Sequence, residues 1–118
     1  MVTILKRLEH GNLEREFLTR WRQLGGPELK REYKFHPRRR WKFDFVDLAS
    51  RVAIEVEGGT WAGGRHTTGR GYSADCQKYN QATLLGWVVF RFTSDMLRDD
   101  PAGHLGPVIE LIKERADL

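Results

Sequence analysis

The chain has 118 residues, 20 basic and 16 acidic, for a net charge of +4 with neutral histidines. That length supports one core but not two, and the positive balance favours a polyanionic partner. A single cysteine, Cys76, excludes a disulfide framework or a cysteine-based zinc site within one chain. No stretch approaches the ~20 apolar residues of a membrane span, and "MVTILKRLEH" is too short in its apolar part for a signal peptide, so a soluble, cytoplasmic protein is expected.

In chain order, "NLEREFLTRWRQL" places Leu13, Phe17, Trp21 and Leu24 on one helical stripe. Asn12 is the expected N-cap and Gly25-Gly26-Pro27 the stop. "EYKFH" follows as a first strand, and "HPRRRWK" concentrates positive charge in Arg38, Arg39, Arg40 and Lys42. That run is open to two readings: a phosphate-binding patch, or a solvated edge strand guarded by its charges.

Next come two β-type runs, "RRWKFDFVDL" and "RVAIEVEGG", joined at Ala49-Ser50, which predicts an antiparallel hairpin. A turn centred there pairs Val46 with Ala53, Asp44 with Glu55 and Lys42 with Glu57. One face then carries Lys42, Asp44, Glu55 and Glu57. The other carries Trp41, Phe43, Phe45, Val52, Ile54 and Val56 as core. Like charges facing across a ladder are unfavourable, so Asp44 opposite Glu55 calls for a cation or a shared proton. A divalent ion such as Mg²⁺ or Mn²⁺ is the simplest such cation; pairing with nearby basic side chains is the alternative.

"GGTWAGGRHTTGRG" continues as a glycine-dense loop with Arg65, His66 and Arg70, a composition suited to close approach of a phosphate. A helix is expected over Ser73–Leu85, ending at Gly86, with Asp75 and Lys78 neighbours on one face. "WVVFRF" resumes as a strand. A last helix is expected from about Gly106 to Arg115, after a loop marked by Pro101, Gly103 and Gly106.

The segments "EYKFHPRRRWKFDF", "VAIEVEGGTW", "GRH", "DCQKYN" and "LLGWVVFRFT", in that order over Glu32 to Thr93, resemble the PD-(D/E)XK, or restriction-endonuclease-like, nuclease superfamily. The pattern looks closest to small phage and prophage endonucleases and to very-short-patch repair endonucleases. The resemblance implies an α/β fold with a restriction-endonuclease-like core: a mixed central β-sheet flanked by helices, in the order α-β-β-β-α-β-α, as one nuclease domain over residues 1–118.

It also implies a metal-dependent DNA endonuclease, with Mg²⁺ as cofactor and Mn²⁺ able to substitute. Asp44 matches the first metal-binding aspartate and Glu55 the acid of the D/E-x-K element. Glu57 stands where the lysine usually does and would either join the metal shell or orient the attacking water, so Lys78 from the following helix, or Lys42, is the candidate replacement for the lysine. Glu32 is the preferred upstream acid for the metal shell, ahead of Glu14 and Glu16. His66 is open among activating water, contacting phosphate and hydrogen bonding within its loop. Arg38, Arg39, Arg40, Lys42, Arg65 and Arg70 would bind the DNA backbone.

For so small a chain, recognition by shape is expected before long-sequence reading. The expected substrates are Holliday junctions or other branched DNA, cut by a homodimer. A mismatch-nicking repair enzyme, a non-catalytic DNA-binding module with a degenerate site, and a subunit of a larger recombination complex are the alternatives.

Overall fold

The structure, a computed structural model, describes residues 2–58 and 69–117. Its elements run α1 (Val2–Gln23), β1 (Lys30–Lys34), β2 (Lys42–Asp47), β3 (Val52–Glu57), α2 (Gly69–Leu84), β4 (Val88–Thr93), α3 (Ser94–Asp99) and α4 (Pro101–Ala116). The strands form one mixed sheet in the order β1-β2-β3-β4. The first two pairings are antiparallel, and β4 joins β3 in parallel after the α2 crossover. No described helix is long and apolar enough to cross a membrane.

Helices cover both faces of the sheet. On one, Phe17 and Trp21 of α1, Leu97 of α3 and Leu105, Val108 and Ile112 of α4 pack on Phe45, Val52, Ile54, Val56 and Phe92. On the other, Phe35, Phe43, Val46 and Ala53 meet Ala82 of α2 and Trp87. Each fully buried side chain of this size contributes about 1.5–3 kcal/mol.

Glycines end α1 and α2 as their positions suggest. Gly25 and Gly86 take φ of 79° and 86°. The Gly86 and Trp87 N–H groups return to Thr83 O and Ala82 O, and those of Gly25 and Gly26 to Arg22 O and Trp21 O, capping carbonyls that the helix leaves open.

Three helix starts differ from expectation, α2 beginning at Gly69 instead of Ser73 and so taking in Arg70. α1 begins at Val2, so Asn12 is an interior residue and not its N-cap: the good helix formers Leu5, Lys6, Arg7, Leu8 and Glu9 carry the helix through Gly11. α4 begins at Pro101, with Asp100 as N-cap accepting from the Gly103 N–H, so Pro101, Gly103 and Gly106 lie in the helix. Proline at the first helical position lacks only an N–H that has no partner there.

The β2–β3 register is the expected one, with Val46 opposite Ala53. The Asp47 carboxylate accepts the Ser50 N–H to close the turn, at 3.0 Å. The division of faces is not the expected one. Phe43 and Trp41 pack with the second cluster and Phe45 with the first. Alternation therefore breaks at Asp44. It breaks in β1 as well, where Arg31 lies over Phe45 and Tyr33 against Trp87. Between those two residues sits Glu32 with φ 54°, a left-handed conformation rare for a side chain of this kind. The two strands turn over together at Glu32 and Asp44.

Candidate metal centre

The turnover of β2 sets the site, because it leaves Asp44 at the end of the β2–β3 ladder, whose last pair is Phe45 with Ile54. The Asp44 carboxylate takes up the backbone instead. Its Oδ2 accepts the Val56 N–H at 2.9 Å, while Oδ1 lies 3.3 Å from Nε2 of His10. Both oxygens are thereby oriented.

α1 supplies two further groups. His10 and Glu14 are four residues apart and share a helix face. Their ligand atoms and that of Asp44 all lie within 4.8 Å of one another. Glu14 is 91% buried as a residue's side chain goes, exposing only 9%, and also meets Arg31 at 3.5 Å. Its Oε1 is buried with no hydrogen-bond partner, the His10 Nε2 standing 3.7 Å away as its nearest ion-pair contact. A buried carboxylate oxygen without a donor carries a desolvation cost that a cation would remove. Donors on opposite sides of a Mg²⁺ shell stand about 4 Å apart, so a modest contraction of this trio accommodates such an ion. The Glu14 and Asp44 carboxylates are the hard oxygen donors that Mg²⁺ or Mn²⁺ takes, whereas the His10 nitrogen is a donor for softer divalent ions.

β3 and α2 supply the second half of the site. Glu55 is buried on β3, and Lys78 of α2 places its ammonium 2.6 Å from Glu55 Oε1. The same ammonium lies 5.6 Å from the centres of the Phe43 and Tyr79 rings. Beyond it, Arg91 of β4 pairs with Glu57, 2.5 Å from Oε1, and stacks 4.4 Å from the Tyr79 ring.

Burial pushes the Glu55 carboxyl above its ordinary value, against the pull of Lys78, and the charges of Asp44 and Glu57 add to the rise. Glu14 is also raised, first by burial, with His10 opposing. His10 is raised mainly by its hydrogen bond to Asp44. Burial raises the Tyr79 phenol strongly, so it is neutral at any physiological pH. Burial is the first cause at both Glu55 and Glu14, so each carboxyl holds its proton more tightly than it would in water.

Of the residues singled out by sequence, Asp44, Glu55, Glu57 and Lys78 converge on this region. Lys78, not Lys42, reaches a site carboxylate. Lys42 pairs with Glu32 at 3.0 Å, both side chains about half exposed, so Lys42 does not face Glu57 as the hairpin alone predicts. The turnover at Asp44 separates them. Glu32 accordingly stands outside the trio, in which Glu14 is the acid nearest Asp44. Arg38, Arg39 and Arg40 are exposed on the β1–β2 loop. Arg70 belongs to the first turn of α2, and Arg65 and His66 lie outside the described residues.

His10 and Arg91 escaped the sequence reading. His10 was hidden by starting α1 at Asn12; its four-residue spacing from Glu14 is the signal that finds it once the helix is extended. Arg91 alternates with apolar residues on β4 and carried no motif. Comparison with family models, with curated proteins and with solved structures gives no match, so function rests on the chemistry of the site itself.

Proposed function

We propose that this chain is a metal-dependent DNA endonuclease with a restriction-endonuclease-like core of the PD-(D/E)XK type. The observation that carries the reading is the Lys78–Glu55 contact of 2.6 Å, made beside Asp44. Glu57 occupies the position where that superfamily's motif has lysine, and α2 brings an ammonium to Glu55 from another direction. The order of elements, with Asp44 on β2 and Glu55 on the adjacent β3, supports the same reading.

Asp44 and Glu14 would hold the metal, with Glu55 able to join once Lys78 turns to the substrate. A bound Mg²⁺ or Mn²⁺ supplies Lewis-acid polarisation of the phosphoryl group and a more acidic water. Lys78 supplies positive charge where negative charge develops on the phosphoryl oxygens. Arg91 holds Glu57 in place. Arg38, Arg39 and Arg40 bind the backbone, which makes affinity fall with salt. Backbone contacts define no sequence, so the substrate is branched or otherwise distorted DNA, such as a four-way junction cut by a homodimer.

A non-catalytic DNA-binding module is the second reading, favoured by the basic partners that already occupy Glu55 and Glu57. Labelled four-way junction, mismatched duplex and plain duplex, incubated with Mg²⁺, Mn²⁺ or chelator, separate the two. Metal-dependent cutting that disappears in Asp44→Ala and Glu55→Ala supports the nuclease. DNA binding without cutting by either metal supports the module.

A further inference from the structure

A cleft of about 640 Å³ opens between the β1–β2 loop and α2. His36, Arg38, Arg39 and Trp41 line one wall and Gln77 and Asn80 the other, with no acidic side chain among its lining residues.

An aromatic ladder leads from the cleft to Phe43, beside Lys78. Phe43 stacks on Phe35 at 4.0 Å, Phe35 faces Trp41 at 6.2 Å, and the Arg39 guanidinium lies 4.1 Å from the Trp41 ring centre. A planar cation on an indole extends the stack by one flat group, and unstacked bases settle on aromatic rings and guanidinium planes alike. Across the cleft, Gln77 and Asn80 each offer a carboxamide with both donor and acceptor, the complement of a base edge. Arg38 adds a cation for the attached phosphate.

The cleft is also preformed. Nδ1 of His36 accepts the backbone N–H groups of Arg38 and Arg39, at 3.1 and 3.0 Å. A neutral ring accepting at Nδ1 carries its proton at Nε2, which donates to Gln81 Oε1 at 3.3 Å. The loop is thus tied to α2 before any ligand arrives, which lowers the ordering cost of binding.

We infer that this cleft takes an unpaired nucleobase, unstacked from a DNA strand that runs past the metal centre. The inference rests on the DNA-binding part of the proposed function and not on cutting. It gives the protein a way to recognise a branch or bulge: a base that is free to leave its helix finds a stacking surface and two carboxamides, and a paired base does not.

The test is binding, measured in chelator, of a duplex carrying one bulged fluorescent purine and of the same duplex fully paired. Wild type is compared with Arg39→Ala and with the double variant Gln77→Ala, Asn80→Ala, all exposed positions whose truncation spares the core. Wild type is expected to prefer the bulged duplex by about tenfold, in the range that stacking one base provides, with a change in purine emission. Both variants should lose most of that preference. Equal binding of the two duplexes by wild type, or full preference in both variants, overturns the inference. Preference without cutting in any metal would overturn the nuclease reading alone; metal-dependent cutting without preference would overturn the cleft alone.

Discussion

The ammonium of Lys78 and Oε1 of Glu55 stand 2.6 Å apart, with side chains only 14% and 10% exposed. A pair so far out of water contributes little net stability, but removing one partner strands the other. Lys78→Met is therefore expected to destabilise the protein by roughly 3 kcal/mol. Adding Glu55→Gln should recover part of that loss. Urea unfolding of the two single variants and the double variant checks this, and strictly additive losses would show that the two groups do not interact.

Three groups of the site bind protons more tightly in the folded chain than in the unfolded one. His10 is raised from 6.5, so its contribution is complete below 6.5 and is lost as pH rises through the folded value. Glu14 and Glu55 are raised from 4.5, so the cost of charging them in place enters as pH climbs past 4.5. All three signs agree: their combined contribution to stability falls from the middle of the acid range to above 6.5. Urea unfolding across this range should show a flatter pH dependence for the double variant His10→Gln, Glu14→Gln than for wild type in chelator. Saturating Mn²⁺ should flatten the wild-type curve too, with protons released on binding, since the cation takes over the charge that those protons balance.

Two glycines of the α1 region should respond in opposite directions. Gly11 lies inside α1, and an added Cβ there meets nothing within 4 Å, so Gly11→Ala should stabilise by about 0.5–1 kcal/mol. At Gly26 a Cβ would fall 2.3 Å from Nε1 of Trp21, whose N–H donates to Pro27 O at 2.7 Å. The indole is buried and cannot yield, so Gly26→Ala should cost about 1–3 kcal/mol. Thermal unfolding of the two variants reads both signs.

Much of this architecture is visible in the residue pattern, and the exceptions have definite causes. Leu13, Phe17 and Trp21 recur at helical spacing and do form the α1 stripe. The Val46–Ala53 register follows from the turn. What alternation cannot reveal is a left-handed residue that is not glycine, and Glu32 is one. Its turn sends Phe43 and Phe45 to opposite faces and Lys42 to Glu32, so the polar face drawn from strict period two is wrong at one end. The place of Glu14 beside Asp44 is hidden from the residue pattern for a related reason. Gly11 and Asn12 read as a helix boundary, yet the helix continues through them and presents His10 with Glu14 to Asp44. Lys78 was legible as a candidate because its place on α2 could be read, although only the packing of α2 over Phe43 brings it to Glu55.

The central claim is that Lys78 serves the chemistry of a metal-dependent phosphodiester site. Single-turnover cleavage of a labelled four-way junction at saturating Mn²⁺, below the unfolding temperature of every protein compared, tests it most directly. Wild type is expected to cut, and Lys78→Met to cut about 10²–10³-fold more slowly, as when one charge-stabilising donor is removed, with junction binding in chelator little changed. Cutting by Lys78→Met at the wild-type rate, or no cutting by wild type at all, would contradict the account.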